Sequence, residues 1–259
     1  MDNPIKYGIP PYQVAVVHGG PGATGTMEPV AKVLSRHWGV LEPLQNAVTV
    51  EGQINELHML LESCGDEPFV LIGHSWGAWL SYMLTARYPG FIKKLILIGS
   101  APFEEKYVSE IWKTRYERLT EKERFNIQQL QKILDDPLAE NKDATFSLIG
   151  KIIARVDSFN PIHSNEIIHA DYSVFQQVWN EAVELRKNGL LLPIGRQILC
   201  PVTAIHGDYD PHHYSGVKMP LSETLNEFRF YLLKNCGHKP WQEKNARENF
   251  YDILIRELS

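Results

Sequence analysis

Short apolar runs recur along the chain and alternate with segments of helical pattern. Several of the runs are continuously apolar, which is typical of strands covered on both faces. Amphipathic segments lie between them, such as residues 51–64 with Ile54 and Leu57 on one face. This alternation predicts an α/β fold with a mostly parallel sheet of about six strands flanked by helices. The strand-like runs are residues 13–17, 40–44, 69–72, 94–99, 201–207 and 228–233.

One long segment, residues 103–192, has no strand-like run. Its sequence is charged and amphipathic, as in "EKYVSEIWKTRYERL" and "ERFNIQQLQKIL". An alternative interpretation is a series of ordinary crossover helices, but the segment is too long for a single crossover. We therefore predict a helical cap over residues 103–192, inserted into a core formed by residues 1–102 and 193–259.

Composition restricts the class of protein. Hydrophobic residues make up 44% and charged residues 22% of the chain, and the formal net charge is −5. These values are ordinary for a globular protein, and no basic stripe supports binding to nucleic acid or to an anionic membrane. The N-terminal residues lack the pattern of a secretory signal, and no stretch has the roughly 18 apolar residues of a membrane span. We expect a cytoplasmic protein with a small-molecule substrate and no nucleic-acid or membrane partner.

Cysteine and histidine spacing gives no sign of a metal centre. The three cysteines (Cys64, Cys200 and Cys236) are an odd number without C-x-x-C spacing, so we expect reduced thiols. The ten histidines form no H-E-x-x-H pattern. We expect neither a metal nor a cofactor. The oligomeric state stays open.

Residues 73–77, Gly-His-Ser-Trp-Gly, join an apolar strand-like run to an apolar helical pattern. The G-x-S-x-G spacing around Ser75 is that of a nucleophile elbow, a tight strand-to-helix turn that exposes the central side chain. Glycines on both sides remove Cβ atoms that would clash in such a turn. The alternative is that Ser75 only caps the following helix. The strand before it and the helix after it favour the elbow.

Three other polar segments follow predicted strands. Residues 18–22, His-Gly-Gly-Pro-Gly, form a glycine-rich strand exit that lets backbone N–H groups approach a ligand, or a simple turn. Asp208 and Asp210 follow the strand at 201–207, and His238 follows the last one. Open α/β sheets carry their sites at the carboxyl ends of strands. We therefore expect Ser75 and these segments to meet in one site.

The order serine, acid, histidine resembles the α/β-hydrolase superfamily over residues 12–101 and 197–258. The resemblance implies Ser75 as nucleophile and His238 as base. The family acid follows its strand as G-x-x-D, which selects Asp210 over Asp208. Gly20 and Trp76 then provide the backbone N–H groups of the oxyanion hole.

The HGGPG and S-W-G motifs are similar to those of prolyl aminopeptidase-like members. Two features depart from that pattern. The aspartate-arginine-glycine loop that usually lies between the oxyanion motif and the elbow is absent. We also expect the common N-terminal hairpin to be missing, since the oxyanion loop begins at residue 18.

The resemblance implies a serine hydrolase that cleaves a small ester, thioester or amide through an acyl-enzyme. A peptidase of the prolyl aminopeptidase type is the alternative, and it needs an acidic group for the substrate ammonium. A non-catalytic small-molecule receptor on the same fold is a second alternative, and a lyase or acyltransferase a third. Candidate acidic groups in the cap are Glu104, Glu105, Asp157, Glu166 and Asp171.

Aromatic residues are candidates for the wall of a substrate pocket, although aromatic residues at such spacings belong more often to a core. They are Trp76, Phe103, Trp112, Trp179 and Tyr209.

Overall fold

The computed structural model describes residues 3–162 and 170–259. A seven-stranded sheet forms its centre. The strands are β1 Ile5–Tyr7, β2 Tyr12–Val17, β3 Gly39–Glu42, β4 Phe69–His74, β5 Ile92–Ile98, β6 Val202–Gly207 and β7 Phe228–Leu233. Their order in the sheet is β1-β3-β2-β4-β5-β6-β7. All neighbouring strands are parallel except β1, which runs antiparallel to β3.

The predicted α/β fold with a mostly parallel sheet is confirmed. The structure adds one strand to the expected six, because β1 gives no signal in the sequence. It has three residues, all half-buried or exposed, so it forms no apolar run. By contrast, the six residues of β4 are all buried, in agreement with a strand covered on both faces.

Helices cover both faces of the sheet. On one face, α1 and α9 pack through residues such as Leu34 and Phe250. On the other, α2 and α3 pack through residues such as Leu57 and Leu80. The nine helices in the described residues are α1 Glu28–Leu34, α2 Val50–Cys64, α3 Trp76–Arg87, α4 Ser109–Arg118, α5 Glu121–Asp135, α6 Lys142–Val156, α7 Tyr172–Lys187, α8 Ser215–Thr224 and α9 Arg247–Leu258.

Parallel pairing brings the carboxyl ends of the central strands to one edge. The last residue of β2, Val17, is in register with Gly73 on β4, and His74 at the end of β4 is in register with Ile98 on β5. The loops that follow β2, β4, β6 and β7 therefore begin side by side. All four polar segments singled out in the sequence lie in these loops.

Four helices, α4 to α7, lie between β5 and β6, within the segment for which a cap is predicted. The boundaries of that cap at residues 103 and 192 stay a prediction. In the described part of the chain, no helix has both the length and the apolar composition that a membrane crossing requires.

Candidate active site

Ser75 occupies a strained turn between β4 and α3. Its φ is 52° and its ψ is −113°, a conformation that costs a non-glycine residue about 1–3 kcal/mol. The turn is closed by a hydrogen bond from the Ser75 N–H to the carbonyl of Ile98 at 2.9 Å. A Cβ on Gly73 would overlap the backbone of Gly77, and one on Gly77 would overlap the carbonyl of Val17. Ser75 lies at the N-cap position of α3, but its hydroxyl makes no capping hydrogen bond to that helix.

The structure pairs His238 with Asp210. The Nδ1 of His238 lies 2.7 Å from Oδ2 of Asp210. Asp208 is held elsewhere, since its Oδ1 accepts from the N–H of Cys236 at 3.3 Å and its Oδ2 lies 3.5 Å from Nζ of Lys234. The alternative acid in the sequence therefore makes no contact with the imidazole.

Asp210 also receives a second imidazole. The other carboxylate oxygen, Oδ1, accepts from the backbone N–H of His212 at 2.9 Å and lies 2.8 Å from His212 Nδ1. Burial alone would raise the pKa of Asp210, but the charge of His238 and the contacts with His212 hold that pKa well below its usual range. The carboxylate therefore stays ionised although its side chain is fully buried.

His212 was not singled out in the sequence. Its ring lies over the ring of His238, with centroids 4.6 Å apart. Burial lowers the pKa of His212 to about 4, so the imidazole is neutral at pH 7. The sequence shows only that a histidine lies two residues after a candidate acid, and this spacing does not predict the orientation of its ring.

The glycine-rich loop after β2 lies against the elbow. A Cβ on Gly19 would lie 2.6 Å from Nδ1 of His74 and 3.2 Å from Cβ of Ser75. Gly20 has a φ of +57°, a left-handed conformation that glycine adopts without strain. The buried ring of His18 makes a 3.1 Å contact from Nδ1 to the carbonyl of Gly19, which braces the loop from behind.

Trp76 is the first residue of α3, so its backbone N–H has no partner within the helix. Its indole is buried and donates to Oε1 of Gln53 at 2.9 Å. Gly20 and Trp76 line the same cavity as Ser75. The two predicted oxyanion donors thus belong to the loop after β2 and to the first turn of α3.

His74, directly before Ser75, links the loops of the site. Its Nε2 lies 3.1 Å from the carbonyl oxygen of His238, and its ring packs edge-on against Trp241. Its Nδ1 is buried and has no hydrogen-bond partner among the described residues. Burial holds the pKa of His74 well below its usual range, so the ring is neutral. Nothing in the sequence around the elbow indicates this role for His74.

The site opens into a cavity of about 480 Å³ that Ser75 and His238 both line. Helices α4 to α7 all contribute to its wall, through residues such as Ile111, Leu134, Phe146 and Phe175. Of the five aromatic candidates, Trp76, Trp112 and Trp179 line the cavity. The other two are packed elsewhere: Phe103 against Tyr82, and Tyr209 against Phe159.

Four of the five acidic candidates fall within the described residues, and each has a partner. Asp157 lines the cavity, and both of its oxygens accept from Arg115, at 2.9 and 2.6 Å. Glu166 lies outside the described residues. The remaining pairs are Glu104 with Lys106, Glu105 with Arg186, and Asp171 with the N–H of Val174.

The loop of His238 is hydrogen-bonded to the segment that follows α6. The N–H of His238 donates to the carbonyl of Asp157 at 2.9 Å. The buried carboxylate of Glu243 accepts from the N–H groups of Phe159, Asn160 and Gly237 at 2.7 to 2.9 Å. The wall of the cavity and the histidine loop are therefore held together at this point.

Among the described residues, Asp210, His212 and His238 form a group with the residue types of a metal site. The Nδ1 atoms of His212 and His238 both lie within hydrogen-bond distance of the Asp210 carboxylate. These contacts account for the proximity of the three side chains.

Several solved structures have the same fold as this chain. A carboxylesterase structure from Nitrososphaera gargenis superposes with a TM-score of 0.66 at 20% identity, covering 98% of this chain and 92% of that one. The monoacylglycerol lipase of Paleococcus ferrophilus gives 0.63 at 16% identity, with 100% and 98% covered. The proline iminopeptidase of Mycobacterium smegmatis gives 0.60 at 16% identity, with 97% and 91% covered.

Comparison with curated protein sequences finds no match. A family model does match, and it spans most of the chain, from residue 21 to residue 241. The matched part begins within the glycine-rich loop and extends past His238, so it includes the elbow and both loops of the Asp210–His238 pair. By this match and by its sheet, the chain belongs to the alpha/beta hydrolase fold family.

Proposed function

We propose that the protein is a serine hydrolase that cleaves a small ester, thioester or amide through an acyl-enzyme on Ser75. One observation carries the proposal. A serine on a strained strand-to-helix turn shares a cavity with a histidine whose Nδ1 lies 2.7 Å from a buried carboxylate. Strain of this kind persists where the surrounding structure enforces it, as at a nucleophile.

In the acylation step, Ser75 Oγ attacks the substrate carbonyl while Nε2 of His238 takes the hydroxyl proton. Asp210 keeps the proton of His238 on Nδ1 and stabilises the imidazolium that forms. The negative charge on the carbonyl oxygen is received by the N–H groups of Gly20 and Trp76. His238 then gives its proton to the leaving group, and the acyl-serine ester remains.

In the deacylation step, His238 takes a proton from water, and the resulting hydroxide equivalent attacks the acyl carbonyl. A second tetrahedral species collapses, the acid product leaves, and the proton returns to Ser75 Oγ. The neutral His74 and His212 rings support this exchange, because neither adds a positive charge beside His238 at pH 7.

The aminopeptidase alternative has two supports: the HGGPG sequence and the shared fold with a proline iminopeptidase. It requires a carboxylate for the substrate ammonium. Among the described residues that line the cavity, Asp157 is the acidic one, and Arg115 already engages both of its oxygens. This pairing favours the esterase over the aminopeptidase, since an unpaired ammonium in the cavity would cost several kcal/mol.

A substrate panel tests the proposal. We expect turnover of 4-nitrophenyl esters of graded acyl length and little turnover of prolyl and alanyl 4-nitroanilides. Ser75→Ala should lower kcat by about 10⁶ because the elements of a catalytic triad act as a unit.

Ser81→Ala is the matched control for this panel. Its hydroxyl lies on the same helix, is buried and makes no hydrogen bond to the described residues, so its loss should leave the rates unchanged. Ester turnover that survives in Ser75→Ala would contradict the mechanism. Preferred cleavage of prolyl anilide would select the aminopeptidase.

A further inference from the structure

Arg186 lines the same cavity as Ser75 and is only 5% exposed. It lies in the last turn of α7. Three aromatic residues of the same helix, Tyr172, Phe175 and Trp179, also line the cavity. Their spacing from Arg186, 14, 11 and 7 residues, places all four on one face of the helix. The face of α7 that lines the cavity is thus aromatic, with the guanidinium of Arg186 at its C-terminal end.

The contacts of Arg186 leave its outer edge open. Its Nε donates to Oε2 of Glu105 at 2.8 Å, and its Cζ lies 5.5 Å from the centre of the Trp79 ring. Neither Nη atom has a hydrogen-bond partner among residues 3–162 and 170–259, and neither is fully enclosed. A buried guanidinium whose outer edge has no acceptor among the described residues favours an acceptor supplied by a ligand.

Arg115 provides an internal comparison. It lines the same cavity, but two of its nitrogens already bind both oxygens of Asp157, whose side chain is 4% exposed. The Glu105 partner of Arg186 is 47% exposed, so water screens its charge. Of the two arginines in the described lining, Arg186 is thus the one whose charge is less compensated by its acidic partner, which favours an anion at this position.

We propose that Arg186 forms a carboxylate-binding subsite and that the substrate is an ester, thioester or amide with a carboxylate at the end remote from the scissile bond. An apolar body between the two groups would lie along the aromatic face of α7. The proposal rests on the hydrolase function and specifies its substrate class. Trp79, beneath the guanidinium, follows Ser75 by four residues, about 6 Å along α3. Arg186 and Ser75 line one cavity of about 480 Å³, so a single ligand can contact both.

Matched pairs of esters test this proposal. For each acyl length, kcat/KM is measured for a mono-4-nitrophenyl dicarboxylate and for the neutral monocarboxylate ester of the same length, such as adipate against hexanoate. The readout is the ratio of the two values within one protein preparation, because a partly unfolded sample lowers both equally. We expect wild type to favour the anionic ester, with an optimum at one chain length.

Arg186→Gln should lower that ratio roughly 10- to 100-fold, the loss expected for a charge-assisted hydrogen bond. Arg186→Lys should retain part of it, since lysine keeps the charge but loses the bidentate edge. Arg196→Gln makes the same change in charge at an exposed position outside the cavity and should leave the ratio unaltered. A wild type that prefers the neutral ester, or an equal ratio in wild type and Arg186→Gln, would overturn the subsite.

A binding measurement separates failure of the subsite from failure of the hydrolase function. If no ester is turned over, the hydrolase function fails, and calorimetry with 4-phenylbutanoate still probes Arg186. Tighter binding of this carboxylate than of 4-phenylbutanamide, lost in Arg186→Gln, supports the subsite by itself. Equal binding of the two compounds to wild type refutes it.

Discussion

Acidification should destabilise this protein steeply, because four histidines are enclosed in their neutral form. His18, His74, His206 and His212 are each at most 8% exposed. Burial lowers the pKa of all four below the ordinary value of 6.5. Three of them pack around the Asp210–His238 pair, so the prediction also probes how tightly the site is enclosed.

The direction of the pH effect on stability follows from the linkage between protonation and folding. The unfolded chain protonates these histidines as pH falls below about 6.5, whereas the folded protein keeps them neutral until pH reaches their lowered pKa values. Stability is therefore complete above that range and is lost as pH falls through it. Asp210 acts in the same direction at lower pH, because its folded pKa is also depressed.

The size of the stability loss depends on how many more protons the unfolded chain binds than the folded protein. Each histidine that is protonated only when unfolded contributes about 1.4 kcal/mol per pH unit, so four give an upper limit of about 5 kcal/mol between pH 6 and pH 5. This is comparable to the whole stability of a typical domain, about 5–15 kcal/mol. Unfolding by acid should thus begin well above the pKa of carboxylates.

Urea unfolding followed by tryptophan fluorescence at half-unit pH steps measures this slope. His212→Asn should reduce it by about one proton, or 1.4 kcal/mol per pH unit. His213→Asn, the same substitution at the adjacent exposed histidine, is the matched control. A free energy of unfolding that changes by less than about 1 kcal/mol between pH 7 and pH 5 would refute the reasoning.

Two further pairs of substitutions test the site. Asp210→Asn should lower kcat by up to about 10⁴, because His238 loses its anionic partner. Asp208→Asn should lower kcat far less. Steady-state kinetics in which Asp208→Asn is the more harmful change would contradict the pairing of Asp210 with His238. Gly19→Ala should lower the free energy of unfolding in urea by about 1–3 kcal/mol, because its Cβ would lie 2.6 Å from a buried imidazole nitrogen. The control Gly150→Ala has open space around its Cβ and should not destabilise the protein. Equal stabilities of the two variants would count against this packing.

The sheet was predictable because its strands are buried on both faces. A run such as β4 is apolar throughout, so its composition reveals its position without any knowledge of its neighbours. The elbow was also predictable from the sequence. A Cβ on Gly73 would overlap Gly77 within the same five residues, and a Cβ on Gly77 would overlap the end of β2. In contrast, β1 has three residues of mixed burial and depends on β3 for its conformation.

The roles of His212 and Arg186 could not be predicted for a related reason. Arg186 is part of the charged sequence Glu184-Leu185-Arg186-Lys187, where nothing local distinguishes the buried side chain from the exposed ones. Its orientation depends on the packing of α7 over α3. His212 follows the acid by two residues, but its contact with Asp210 depends on the course of the whole loop after β6.

The measurement that tests the central claim most directly is the reaction of the protein with a fluorophosphonate, with the adduct located by peptide mass spectrometry. The proposed mechanism predicts one adduct, on Ser75, formed more slowly in Asp210→Asn and not at all in Ser75→Ala. A folded protein that stays unlabelled, or that carries its adduct on another residue, would contradict the claim that Ser75 is an activated nucleophile.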